Sequence, residues 1–155
     1  MDVKTILWPT DLSENSLKAA DQVRELANKH GAQVILLYVG IDLKNYFPAY
    51  GNYPNPALYE KFEEWEQQQA RKRLDELCVS RLGGCPRLVT RIASGDAAEE
   101  ILKVIGECKV DLVVMTSHGH GHGNRQAETL HPGHTAERVS RLSPVPVHLV
   151  NPYKV

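Results

Sequence analysis

The stretch Thr5–Val39, TILWPTDLSENSLKAADQVRELANKHGAQVILLYV, decides the fold. Thr5–Trp8 reads as a short buried strand, stopped by Pro9. Ser13 stands where a helix N-cap belongs, with Glu14 in the first turn to complement the helix dipole. Ser16, Ala19, Ala20, Val23, Leu26 and Ala27 then recur at helical spacing. They make one face of small side chains suited to lying close on a sheet. His30-Gly31 ends the helix, the glycine supplying a left-handed C-cap. Gln33–Val39 is apolar nearly throughout, which fits a strand covered on both faces. Strand, helix and strand within 35 residues predict a right-handed βαβ unit and a parallel sheet.

Outward from there the alternation continues. Ala57–Arg81 predicts a long charged helix. Leu58, Phe62 and Trp65 form one stripe on it, and Ala70, Leu74 and Leu77 form a second, out of phase with the first. That mismatch predicts a kink, or a second face turned to the core, near Gln67–Gln69. Arg87–Ala93 is the third strand. Asp96 and Glu99 make a capping-box pattern ahead of a helix that buries Ala97, Ala98, Ile101, Leu102, Ile105 and Cys108. Leu112–Met115 is the fourth strand, His134–Leu142 a helix stopped by Pro144, and Val145–Val150 the fifth strand. Five strands and four helices in this order predict one doubly wound α/β domain over residues 1–155. Ligands of such folds sit beyond the carboxyl ends of the strands, at the switch point. The loops there are Pro9–Ser13, the segment from Gly40, Ser94–Asp96 and Thr116–Thr135. Asp11 and the last of these loops are therefore expected to face one crevice. The segment from Gly40 to Pro56 carries Tyr46, Phe47, Tyr50 and Tyr53 among prolines. It reads either as an aromatic lid or partner patch, or as a surface loop packed on its own domain.

Composition excludes several function classes. The net charge of −1 leaves no electrostatic case for nucleic acid or an anionic membrane. No apolar run approaches the roughly 20 residues of a membrane-crossing helix. The start, MDVKTILWP, lacks the small-residue cleavage site of a signal peptide, so the expected location is cytoplasmic. The three cysteines, Cys78, Cys85 and Cys108, form no C-x-x-C pair, and they read as small buried hydrophobes or inert thiols in a reducing compartment.

The chemistry concentrates in Asp111–Thr135, DLVVMTSHGHGHGNRQAETLHPGHT. A strand, a glycine-rich loop and a helix start are the layout that turns backbone N–H groups toward a phosphate. The loop also holds five of the chain's seven histidines.

Several stretches together resemble the universal stress protein family. They are the opening βαβ unit with its Pro-Thr-Asp-x-Ser element, SGDAAEEILKVIGECKVDLVVM, SHGHG, and GHTAERVSRLSPVPVHLV. The resemblance spans nearly the whole chain. It implies a Rossmann-like five-stranded parallel sheet, strand order 3-2-1-4-5, helices on both faces, and a homodimer formed by the last strand, Pro146–Val150. Family members divide into those that bind ATP and those that do not. The binding members resemble G-x2-G-x9-G-[ST] in the loop after the fourth strand. What the resemblance implies as ligand is ATP or AMP. Mg²⁺ would accompany the phosphates, although no carboxylate pair stands in the glycine loop to hold it. The nucleotide-binding positions that the resemblance implies are Pro9, Thr10, Asp11, Val39, Met115, Thr116, Gly119, Gly133, His134 and Thr135. Of these it implies Asp11 and the backbone of Val39 at the adenine end, the positions of Thr116 and Gly119 near ribose and phosphates, and Gly133-His134 at the phosphates. Three departures bear on binding. Thr116 stands where the first glycine is expected, 13 residues rather than nine separate Gly119 from Gly133, and His134 replaces the final Ser/Thr. The extra residues lie between the anchors, where they are expected to bulge outward at little cost.

Two other readings stay open. His118, His120 and His122 alternate with glycines, so in an extended chain their imidazoles project to one side, as a zinc, nickel or copper site requires. His118 also matches a histidine common in the family's Ser-His-Gly turn, which needs no metal. The other reading is a nucleotide-free dimeric interaction protein with a degenerate loop. Catalysis finds little support beyond weak ATP hydrolysis, because the chain has no G-x4-G-K-[ST], no G-x-S-x-G and no H-E-x-x-H.

Overall fold

The structure, a computed structural model, describes residues 1–40, 56–118 and 133–154. Its elements in chain order are β1 (Thr5–Thr10), α1 (Glu14–Leu17), α2 (Ala20–His30), β2 (Gln33–Gly40), α3 (Pro56–Ser80), β3 (Arg87–Ser94), α4 (Ala97–Glu107), β4 (Leu112–Thr116), α5 (His134–Leu142) and β5 (Val147–Val150). The strands form one parallel sheet in the order β3-β2-β1-β4-β5, as expected. The order reverses between β1 and β4.

Alternation along the inner strands divides the core between the sheet's faces. Ile6, Trp8, Val34, Leu36, Leu112 and Val114 pack with α2 and α3 on one side. Leu7, Ile35, Leu37, Val113 and Met115 pack with α4 and α5 on the other. Both faces are covered, so these strands read as unbroken apolar runs in the sequence.

Four local expectations need correction. The first strand does not stop at Pro9, which continues it in register with Leu37. Proline has no N–H to donate. β1 pairs with β2 along its whole length but with β4 only at Ile6 and Leu7, so the sheet opens between the carboxyl ends of β1 and β4. The helix after β1 is two helices. Lys18 and Ala19 donate to carbonyls three residues back, Asn15 and Ser16, and this tightening separates α1 from α2. Gly31 does cap α2 in the left-handed conformation, at φ 61°.

The stripes on α3 have unequal fates. Ala70, Leu74 and Leu77 are buried with Tyr59 in one line. Leu58, Phe62 and Trp65 are 59%, 46% and 57% exposed, so the first stripe faces away from the core of an uninterrupted helix. The fifth strand begins at Val147 rather than Val145. The N–H and carbonyl of Val145 bond the Ser143 hydroxyl instead, which makes this stretch a turn. The segment holding Tyr46, Phe47, Tyr50 and Tyr53 lies outside the described residues, as do Gly119, His120 and His122.

Candidate functional site

The turn leaving β1 is closed by its own side chains. Thr10 Oγ1 accepts from the Leu12 N–H at 3.0 Å and from Ser16 Oγ at 2.6 Å. Asp11 Oδ1 accepts from the Ser13 N–H at 2.9 Å and from Ser13 Oγ at 2.5 Å. Ser13 Oγ in turn accepts from the Ser16 N–H, so Ser13 is the N-cap of α1, as its position predicts. Leu12 sits at φ 64°, a left-handed conformation that costs a non-glycine residue about 1–2 kcal/mol. The Thr10 hydroxyl on its N–H and Arg73 Nη2 on its carbonyl hold it there. Beside the turn, Tyr38 is the register partner of Thr10, and its hydroxyl donates to Glu66 at 2.9 Å. Burial, reinforced by the bond to Glu66, pushes the Tyr38 hydroxyl up to about 12.

The loop leaving β4 is built from its two ends. Thr116 Oγ1 donates to the carbonyl of His118, turning the chain away from the strand. Far along the sequence, the Gly133 N–H donates to the Ser117 carbonyl at 2.6 Å. A Cβ on Gly133 would lie 2.9 Å from that same oxygen, so the approach requires glycine. The two ends of the glycine–histidine loop therefore meet in one backbone hydrogen bond.

Gly133 is also the N-cap of α5, and it has no side chain to cap with. The first bond within this helix runs from the Glu137 N–H to the Gly133 carbonyl. The N–H groups of His134, Thr135 and Ala136 come before it, where a helix leaves donors without an intrahelical partner. Across from α5, the N-terminus of α4 is closed. Asp96 accepts from the Glu99 N–H at 3.0 Å, and both its oxygens lie 3.0 Å from Arg138 Nη1. The Glu99 N–H first, and then Arg138, hold the Asp96 carboxyl below the usual range.

These elements enclose a crevice of about 220 Å³ at the opening between β1 and β4. Pro9, Thr10, Asp11, Val39, Met115, Thr116, Gly133, His134 and Thr135 line it, and these are all the expected nucleotide-binding residues that lie among the described ones. Ser16, Ala97, Ile101, Ser117 and Ala136 line it too and were not anticipated. The capping pattern at Asp96 was the signal available for Ala97 and Ile101, since it aims the first turn of α4 at the strand ends.

A profile of the universal stress protein family matches residues 2–151. The chain belongs to the universal stress protein family. A universal stress protein from Methanocaldococcus jannaschii, MJ0531, is 30% identical over 149 residues, covering 95% of this chain and 81% of the relative. Among solved structures, the hypothetical protein MJ0577 superposes with a TM-score of 0.81 at 24% identity, over 97% of each chain. A universal stress protein in complex with cAMP superposes at 0.59, 21% identical over 97% of this chain and 98% of the other. A universal stress protein family protein from Arabidopsis thaliana with AMP bound superposes at 0.57, 15% identical over 96% and 91% of the two chains.

Within this universal stress protein domain, His118 has a structural place. It is 4% exposed, its Nδ1 is 2.8 Å from Ser117 Oγ, and its ring lies tilted at 54° against that of Tyr153, centroids 5.5 Å apart. It does not line the crevice. Among the described residues no three histidine, cysteine or acidic side chains converge as a metal site, and two of the histidines proposed for one, His120 and His122, lie outside them. No helix of the described residues is long and apolar enough to cross a membrane.

Proposed function

We propose that this universal stress protein is an adenine-nucleotide-binding regulator, a cytoplasmic homodimer whose partner affinity changes when ATP or AMP fills the crevice. The observation that carries this reading is the first turn of α5, which lacks a side-chain cap and lines the crevice at the switch point. A helix N-terminus presents N–H groups and positive dipole to an anion, which suits phosphate. Asp11 and the backbone of Val39, at the other end, suit the amino and ring nitrogens of adenine. The cAMP and AMP complexes of two relatives support an adenine nucleotide as the ligand class. Mg²⁺, if it takes part, is held through the phosphates.

For the dimer, β5 is an edge strand, and Leu149 and Leu142 beside it are 37% and 54% exposed. Pairing of two β5 edges across a two-fold axis would cover them. Calorimetry on untagged protein tests the nucleotide. ATP or AMP is expected to bind with a dissociation constant on the order of micromolar, weakened in Asp11→Ala. No heat and no retained nucleotide would sink the reading. Sedimentation of Leu149→Arg tests the dimer, which is expected to dissociate. The exposed stripe Leu58, Phe62 and Trp65 favours a second reading, a nucleotide-free interaction protein. That reading gains if ATP gives no heat while Trp65→Ser abolishes recovery of a partner.

A further inference from the structure

A whole nucleotide would reach past the described walls of the crevice. The crevice volume of about 220 Å³ falls below the ~300–1,000 Å³ of pockets that enclose a drug-sized ligand. A ligand anchored on Asp11 and Val39, with its first phosphate at the N-terminus of α5, would leave further phosphates at the rim. Among the described residues, the N-termini of two helices stand at the rim there. α5 contributes His134 to the lining and carries Arg138 one turn further on. α4 contributes Ala97, and Asp96 immediately precedes it. Asp96 and Arg138 bridge this gap with two 3.0 Å contacts, their side chains 45% and 25% exposed. Asp96 is also close enough to His134 to feel its charge.

This arrangement has an electrostatic consequence. Among the described residues at this rim the guanidinium is the cation, and a carboxylate already neutralises it. A phosphate arriving beside the pair is attracted by Arg138 and repelled by Asp96 at similar range. A monophosphate held at the first turn of α5 stays further from the pair and feels it less. Resting on the nucleotide reading above, we infer that the Asp96–Arg138 pair is a specificity determinant that sets how strongly the site distinguishes triphosphate from monophosphate. Arg138 can donate to a terminal phosphate only by sharing or releasing Asp96. The pair thus lowers the advantage that two extra phosphates would otherwise bring, and lets AMP compete with ATP.

The test is calorimetry with adenosine, AMP and ATP on the wild-type protein and four variants, at one pH and fixed salt. Asp96→Asn keeps an N-cap acceptor for α4 but removes the negative charge. It is expected to raise ATP affinity about threefold relative to AMP. Arg138→Met leaves Asp96 unopposed. It is expected to weaken ATP about fivefold more than AMP. Arg138→Lys keeps the charge and is expected to restore most of the ATP affinity. Adenosine affinity is expected to stay level throughout.

Arg91→Met is the control. It breaks the other ion pair of α4, to Glu107, about 16 Å away along the helix. Thermal melts verify that each variant folds. Equal factors for AMP and ATP in both Asp96→Asn and Arg138→Met overturn the inference. So does the same discrimination in Arg91→Met, or an Arg138→Lys that loses as much as Arg138→Met, because the pair would then act only as a brace between helices. Wild-type protein that binds none of the three ligands overturns the nucleotide reading and this inference with it. Wild-type protein that binds all three, with variants unchanged, overturns this inference alone.

Discussion

The two sides of the crevice satisfy their backbone polar groups in opposite ways. On the β1 side, Thr10, Asp11, Ser13 and Ser16 bond one another and the turn's own N–H groups. On the α5 side, a glycine N-cap offers no side chain to the first turn of the helix. The closed side is a template whose shape the protein sets without a ligand. The open side has donors whose best partner is an anion from outside. Mutations on the closed side, Asp11 with its proposed adenine contact excepted, should therefore appear chiefly in stability, and mutations on the open side chiefly in affinity.

The sharpest way to break this contrast is Gly133→Val. Its Cβ meets the Ser117 carbonyl at 2.9 Å, so the loop ends must separate and α5 must shift. ATP affinity is expected to fall more than about 30-fold, or about 2 kcal/mol, while thermal unfolding changes modestly. A large loss of stability with affinity intact would reverse the assignment of roles. Next is His134→Pro. Proline is tolerated at the first helical position, so α5 should survive while one N–H donor and the imidazole are lost. Calorimetry should show ATP weakened about tenfold and adenosine unchanged. Equal losses for both ligands would mean that α5 does not meet the phosphates.

On the closed side, Ser13→Ala removes the cap of α1 and a donor to Asp11. Urea unfolding should show a loss of about 1 kcal/mol, with ATP affinity within about threefold of wild type. Affinity that drops with stability unmoved would erase the difference between the two sides. The smallest effect concerns the closed N-terminus of α4. The folded-state pKa of Asp96 is depressed, by the Glu99 N–H first and Arg138 next. Its contribution is therefore present above the unfolded carboxylate value of about 4 and is lost as pH falls through the lower folded value. The stability gap between wild type and Asp96→Asn should narrow below about pH 4. A gap that stays constant down to about pH 2 would show that the charge of Asp96 contributes nothing.

Much of this architecture was legible in the chain, because the decisive signals are local. The capping roles of Ser13, Asp96 and Gly31 depend on neighbours within three to five residues, and each is found where it was expected. The start and end of α5, His134–Leu142, follow from Gly133 and Pro144. The misreadings fall where partners are distant in sequence. Leu58, Phe62 and Trp65 repeat at helical spacing as faithfully as Ala70, Leu74 and Leu77, and only packing distinguishes them. Pro9 looks like a strand terminator until β2 is alongside to pair with it. Val145 looks like strand until the Ser143 hydroxyl takes both its backbone groups.

The sequence alone determined the alternation of strands and helices, the parallel sheet it forces, and the set of loops that end at one side of it. Periodicity, capping residues and the handedness of βαβ units are properties of short stretches, so a linear chain displays them. Tertiary structure decided that the strands open between β1 and β4, that Gly133 closes on Ser117, and that Asp96 meets Arg138. Each of these joins atoms from separate elements, at distances that only the packed sheet and its helices set. The crevice, lying between those elements, has its width and its charge determined at that level.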